Sequence, residues 1–310
     1  MNEAELAALA DAIVAEVRGA RGAGRGARSR GPGAVPHPSP LAPRSSRHEP
    51  VRSPTAAVQR AADFVDHTLL KAEATRVDLV KLCAEARQHH FAAVCVNPQW
   101  VELCAKQLDG TDVDVACVVG FPLGATTSRN KAAEAAEAVD LGAQEIDMVA
   151  ALGRIKGGEW AYVEDDVRAV VEAARPALVK VIIESALLTR EEIVQAAALA
   201  KEAGAHFVKT STGFHAAGGA SLEAVRLMKL TVGDALGVKA AGGVRDCATA
   251  LAMLGAGANR IGTSSGVGMV TCLGPGPLPL AELLKNPQAH AHGCTSGSCG
   301  TAGGGAAQPY

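Results

Sequence analysis

The stretch QEIDMVAALGRIKGGEWAYVEDDVRAVVEAARPALVKVIIE, residues 144–184, decides the fold. An apolar run at 144–150 is followed by an amphipathic stretch at 159–174 and then by a second apolar run at 177–184. Short runs rich in Val and Ile fit buried strands, and the longer segment between them repeats its apolar positions at helical spacing. Two such strands joined by one helix read as a parallel βαβ unit. The same alternation continues outward in both directions. The candidate strands are 63–69, 91–97, 113–120, 144–150, 177–184, 206–212, 237–243 and 258–264. The helices between them include 75–89, 98–108, 126–141, 159–174, 190–203, 221–233 and 246–255. Eight strand–helix units over roughly 220 residues match the size of a (β/α)8 TIM barrel. An open doubly wound sheet uses the same alternation, but the count of eight and the lack of a Gly-rich turn after the first strand favour closure.

The remaining composition is close to globular averages. The chain has 310 residues, 48% of them hydrophobic and 20% charged, and its formal net charge is −2. That balance gives no support for a chain-wide nucleic-acid or membrane surface. Aromatics at 3% argue against base-stacking platforms and against an all-β sandwich. No apolar run reaches the roughly 18 residues a membrane span needs. The first residues, Met-Asn-Glu-Ala-Glu, are acidic where a targeting peptide would be basic, so a cytoplasmic protein is expected. Eight cysteines without a CxxC pair read as buried, reduced thiols.

Both ends differ from the middle. Residues 2–18 read as a short amphipathic helix with Leu6, Leu9, Ile13 and Val17 near one face. Residues 19–54 carry seven Arg and no Lys among Gly, Pro and Ser, a composition that cannot bury enough surface to fold. Such an arm suits contact with RNA or anionic lipid, though a plain tether is the more economical reading. The tail at 286–310 is rich in Gly, Ala and Ser, and its His290, His292, Cys294 and Cys299 match no zinc spacing. The expected organisation is therefore an extension at 1–54, a catalytic barrel at 55–285 and a flexible tail at 286–310.

Polar residues cluster at the ends of the expected strands, where a barrel places its active site. VKTST (208–212) and VKAAGG (238–243) each set a single Lys inside an apolar strand. If Val208 and Val238 pack against the helices, alternation turns Lys209 and Lys239 into the lumen. A Lys is almost never fully buried without a partner, and two like charges or desolvation lower the pKa of at least one. A neutral amine is what a Schiff-base-forming Lys needs near pH 7. The alternative is that each Lys reaches solvent or pairs with an acid. Asp147 in EIDMV can face the same lumen, either to move protons or simply as an ion-pair partner, and Lys180 on the next strand can pair with it.

A third element follows strands six, seven and eight: Thr212-Gly213, Gly242-Gly243 and Gly262-Thr263-Ser264-Ser265. Glycines let backbone N–H groups approach an anion, and hydroxyls add donors. Ordinary tight turns would use the same residues singly. Three consecutive turns of this type favour a phosphate site.

In order along the chain, Asp66-His-Thr-Leu, VCVNP (94–98), GFPLG (120–124), EIDMV (145–149), KVIIE (180–184), FVKTSTG (207–213), KAAGGVR (239–245) and RIGTSSG (260–266) resemble the deoxyribose-phosphate aldolases, class I aldolases. The resemblance runs across about 60–270. It implies reversible cleavage of 2-deoxy-D-ribose 5-phosphate to D-glyceraldehyde 3-phosphate and acetaldehyde. It makes Lys209 the Schiff-base nucleophile, Lys239 the cation that lowers its pKa, and Asp147 the general acid/base. Gly213, Gly242, Gly243, Ser264 and Ser265 would hold the phosphate, with Asp66 and Thr212 near the substrate hydroxyls. Lys180 and Tyr310 are accessory candidates. No metal and no organic cofactor is implied, because the iminium is the electron sink. The expected partner is a small phosphorylated sugar, and a homodimer is one assembly left open. Two features depart from the pattern or sit at its edge. Phe214 stands where some members carry Lys, with Arg245 a candidate substitute. The chain also ends in Tyr, as some members do on a tail that reaches the active site.

Overall fold

The computed structural model of the chain describes residues 3–21, 60–272 and 284. Eight parallel strands close into one barrel in chain order: β1 (Val65–Leu69), β2 (Ala93–Val96), β3 (Asp114–Val119), β4 (Glu145–Val149), β5 (Leu178–Ile182), β6 (Phe207–Lys209), β7 (Gly237–Ala241) and β8 (Arg260–Thr263). β1 pairs with both β2 and β8, so no edge remains. The expected closed (β/α)8 barrel is the architecture found.

The helices wrap the outside: α1 (Glu3–Arg21), α2 (Arg76–His89), α3 (Val101–Gln107), α4 (Ser128–Asp140), α5 (Leu152–Lys156), α6 (Trp160–Ala173), α7 (Arg190–Glu202), α8 (Leu222–Val232), α9 (Cys247–Gly255) and α10 (Gly266–Cys272). Several begin on side-chain caps, among them Thr75, Thr127, Thr189, Ser221 and Asp246, each accepting a backbone N–H from the first turn. Two helices were not anticipated. α5 spans five residues including Gly153, and α10 opens Gly-Val-Gly, so neither has a strong local signal.

The strands alternate as the sequence implied. Val94, Val96, Val115, Ile146, Met148, Val179, Val208, Val238 and Ile261 belong to the continuous core beneath the helices. The residues between them face the lumen. Ala93, Cys95, Ala116 and Val118 form a separate small apolar cluster there with Leu70, Phe121 and Phe214. The sixth strand is shorter than the expected 206–212. It stops at Lys209 because Thr210 turns its hydroxyl to the Ala241 carbonyl at 2.9 Å and accepts the Ala241 N–H at 3.0 Å.

One expectation about the thiols is corrected. Cys247 of α9 and Cys272 of α10 form a disulfide, 25 residues apart and with Cα atoms 6.5 Å from each other. Helix packing brings them together, and such packing leaves no spacing motif. Cys83, Cys95, Cys104 and Cys117 are buried free thiols. Cys294 and Cys299 lie outside the described residues, as do 22–54, the tail from 286 and Tyr310.

Candidate active site

Parallel pairing sets the site. Lys209 is the register partner of Lys239, Asp147 of Lys180, and Lys239 of Arg260. Period-two alternation then turns these side chains, with Asp66 and Glu145, into one lumen. Lys180, Lys239, Asp66, Glu145 and Asp147 are fully buried, and Lys209 retains 3% exposure.

Asp147 is the centre. Its Oδ2 accepts from Lys209 Nζ at 2.8 Å and from Lys239 Nζ at 2.7 Å, and its Oδ1 accepts from Lys180 Nζ at 2.8 Å. Lys239 also donates to Asp66 at 2.5 Å, and Arg260 donates to Asp66 at 2.6 Å and to Glu145 at 3.1 Å. Lys180 donates to Glu145 as well and lies 3.6 Å from Asp66. The Phe207 ring sits beside the Arg260 guanidinium, 5.4 Å from the ring centroid.

The four basic groups are unequally served. Among the described residues Lys180 meets three carboxylates, Lys239 and Arg260 two each, and Lys209 only Asp147. The proton affinities follow this pattern. Burial lowers the Lys209 pKa, Asp147 opposes the shift, and Lys239 adds to it. For Lys239 and Lys180 burial acts the same way, but Asp147 with Asp66 or Glu145 outweighs it, and both are raised. Burial pushes Asp147 up, yet Lys180, Lys209 and Lys239 hold it well below the usual carboxylate range. Four bases face three carboxylates, so the cluster reaches neutrality when Lys209 gives up its proton. Cys95 Sγ lies 3.9 Å from Asp147 Oδ2, and burial and that carboxylate push its thiol up to about 11.

The loops after β6 and β7 interlock through glycines. A Cβ on Gly242 would lie 3.0 Å from Gly219 Cα, 3.2 Å from Ser211 Cβ and 3.5 Å from Gly213 Cα. Gly213, Gly242 and Gly243 all take positive φ. Gly243 and Ser264 are exposed, and Ser265 is half-buried just before α10. Phe214 packs edge-on against Phe121 at 5.1 Å between ring centroids, and Arg245 is exposed on the turn after β7. Thr212 is buried, with both its donors directed to Glu184.

Lys209, Lys239, Asp147 and Lys180, expected to face one lumen, meet there, and Asp66, expected near the substrate hydroxyls, lies among them bonded to Lys239 and Arg260. Sequence reading did not single out Arg260, Glu145 or Cys95 as members of the cluster. Alternation held the signal for two of them: Glu145 is two residues before Asp147, and Arg260 two before Gly262. Among the described residues no group of His, Cys, Asp and Glu could hold a metal ion, and no helix is long and apolar enough to cross a membrane.

A closed parallel barrel with amines and carboxylates buried in its lumen defines a lysine-bearing barrel enzyme. Residues 60–271 match the model of the DeoC/LacD family of aldolases, and the chain belongs to that family. It is an aldolase, a carbon–carbon lyase. A deoxyribose-phosphate aldolase of Geobacillus sp. (strain WCH70) is 59% identical over 210 residues, which are 67% of this chain and 94% of that protein. One from Streptococcus uberis is 56% identical over 207 residues, again 94% of its length. Among solved structures, the tetrameric deoxyribose-phosphate aldolase of Aeropyrum pernix is similar with a TM-score of 0.64 and 33% identity, covering 68% of this chain and 89% of that one.

Proposed function

We propose that the chain cleaves 2-deoxy-D-ribose 5-phosphate reversibly to D-glyceraldehyde 3-phosphate and acetaldehyde through a Schiff base on Lys209, as a step in deoxyribose phosphate breakdown. The observation that carries this reading is that Lys209 and Lys239 share one oxygen of Asp147 in a buried lumen. The neutral Lys209 amine attacks the aldehyde carbon of the open-chain sugar, and loss of water with uptake of one proton, given back when the last iminium is hydrolysed, yields the iminium. Asp147, ionised, accepts the proton of the 3-hydroxyl directly or through a water. The C2–C3 bond then breaks, its electron pair passes to the iminium as an enamine, and glyceraldehyde 3-phosphate leaves. Asp147 returns the proton to the enamine carbon, and hydrolysis of the new iminium releases acetaldehyde and restores the amine. Lys239 stays charged throughout, favouring the unprotonated form of Lys209.

The phosphate sits on the glycine turns: Gly213, Gly242 and Gly243 supply close backbone approach, with Ser264 and Ser265 beside them. Asp66 holds Lys239 and faces the substrate hydroxyls. Two similar aldolases at 59% and 56% identity support the substrate. Incubation with acetaldehyde and borohydride is expected to trap Lys209, located by peptide mass spectrometry. Lys209→Ala should lose on the order of 10³-fold or more in glyceraldehyde 3-phosphate release. Trapping at another lysine, or near-normal turnover in K209A, rejects the mechanism.

A further inference from the structure

Glu184 follows β5, and no step above uses it. It is 1% exposed, and among the described residues it has no ion-pair partner. Its backbone is left-handed, at φ 51° and ψ 59°, although it is not a glycine. Hydrogen bonds on either side hold it there: Ile183 N–H donates to the Lys209 carbonyl at 3.0 Å and Ser185 N–H to the Thr210 carbonyl at 2.8 Å. A buried carboxylate without a cation and a strained backbone are both unfavourable, and strain of this kind collects at ligand clamps.

The carboxylate serves one turn. Its Oε2 accepts the Thr212 N–H at 3.2 Å and the Thr212 hydroxyl at 2.5 Å. Thr212 Oγ1 in turn accepts the Phe214 N–H at 3.1 Å. Every donor on Thr212, and the N–H of Phe214, is therefore committed within the protein. The N–H of Gly213 between them bonds to no group among the described residues, and its φ is 84°. This turn lies against Gly242, the glycine of the next loop.

We infer that Glu184 is a positioning residue of the anion subsite: it fixes the 212–214 turn so that the Gly213 N–H is left to bind phosphate, and Thr212 shapes the turn rather than binding substrate. This rests on the phosphate site proposed above. Glu184→Gln keeps an acceptor oxygen, whereas Glu184→Ala removes it. E184A is expected to raise KM for 2-deoxyribose 5-phosphate by about 10–100-fold, with an effect at least about tenfold smaller on unphosphorylated 2-deoxyribose. E184Q should restore KM to within a few-fold of wild type. Thr212→Val, which keeps the N–H and the volume, should show the same phosphate-selective loss and carries the test if E184A does not fold. Equal losses on both sugars, or no loss on either, overturn the role of Glu184. A wild-type enzyme with no preference for the phosphorylated sugar overturns the phosphate site itself.

Discussion

Lys209 differs from its basic neighbours in how few carboxylates it touches. Lys239 bonds both Asp66 and Asp147, and Lys180 reaches three acids, so each is worth more charged than neutral. Among the described residues Lys209 leans on Asp147 alone, and Asp147 is already claimed by two other lysines. Its pKa falls chiefly through burial, with Lys239 contributing in the same direction. The active form is the free amine, so activity is expected to rise as pH increases through the Lys209 pKa and to be lost below it. Lys239→Met removes a neighbouring cation, which lets Lys209 hold its proton to higher pH. The acid limb of the kcat/KM profile should therefore move upward, and kcat should fall by on the order of 10²-fold or more. A limb that stays in place in K239M would show that Lys239 does not govern Lys209. The parity of the strands, a local property, made Lys209, Lys239 and Asp147 legible as one facing set. The contact between Lys239 and Asp66 was not legible, because 173 residues separate them and only barrel closure brings β1 beside β8.

At the scale of elements, α4 and α6 support the loop that carries Phe121. Lys131 of α4 donates to Asp166 of α6 at 2.6 Å, with both side chains fully buried. A Cβ on Gly120 would lie 3.1 Å from Lys131 Cε, so the loop rests directly on that stem. Glu134 accepts the Gly120 N–H at 2.7 Å, one turn along the same helix. Removing one member of a buried pair strands the other charge. Lys131→Ala is expected to cost about 3–5 kcal/mol in denaturant unfolding. The double variant Lys131→Met with Asp166→Leu should be less destabilised than K131A, because Asp166 Oδ1 already lacks a hydrogen-bond partner. Additive losses would show that the two groups are not coupled. Lys131 sits in a stretch that reads as an ordinary exposed helix face, and nothing local marks it as buried.

For the whole molecule, the barrel leaves an apolar surface on α7 and α8 that α1 covers. Leu6, Ala10 and Val17 are buried there, Val17 against Ala198 and Leu199 of α7, with Trp160 packed beside them. This face lies on the outside of the barrel, away from the lysines. Leu6→Asp should lower stability by about 2–3 kcal/mol, or roughly 5–10 °C in Tm, while kcat changes little. A large loss of kcat with Tm intact would place α1 in the catalytic apparatus instead. The helix itself was visible as an amphipathic repeat, but its docking site was not. An apolar stripe states that burial is favourable without stating against what.

Periodicity determined a great deal on its own. Each strand or helix is selected by its near neighbours along the chain, so eight strand–helix units, the inward side of the strands that carry Lys209, Lys239 and Asp147, and the glycine turns could be read directly. Tertiary structure decided the rest. Which amine loses its proton depends on the number of carboxylates around it, and those arrive from β1 and β4. The left-handed backbone of Glu184, the Cys247–Cys272 pair and the seat of α1 likewise exist only once distant segments meet. Charge interaction and packing act through space, and sequence order does not encode those distances.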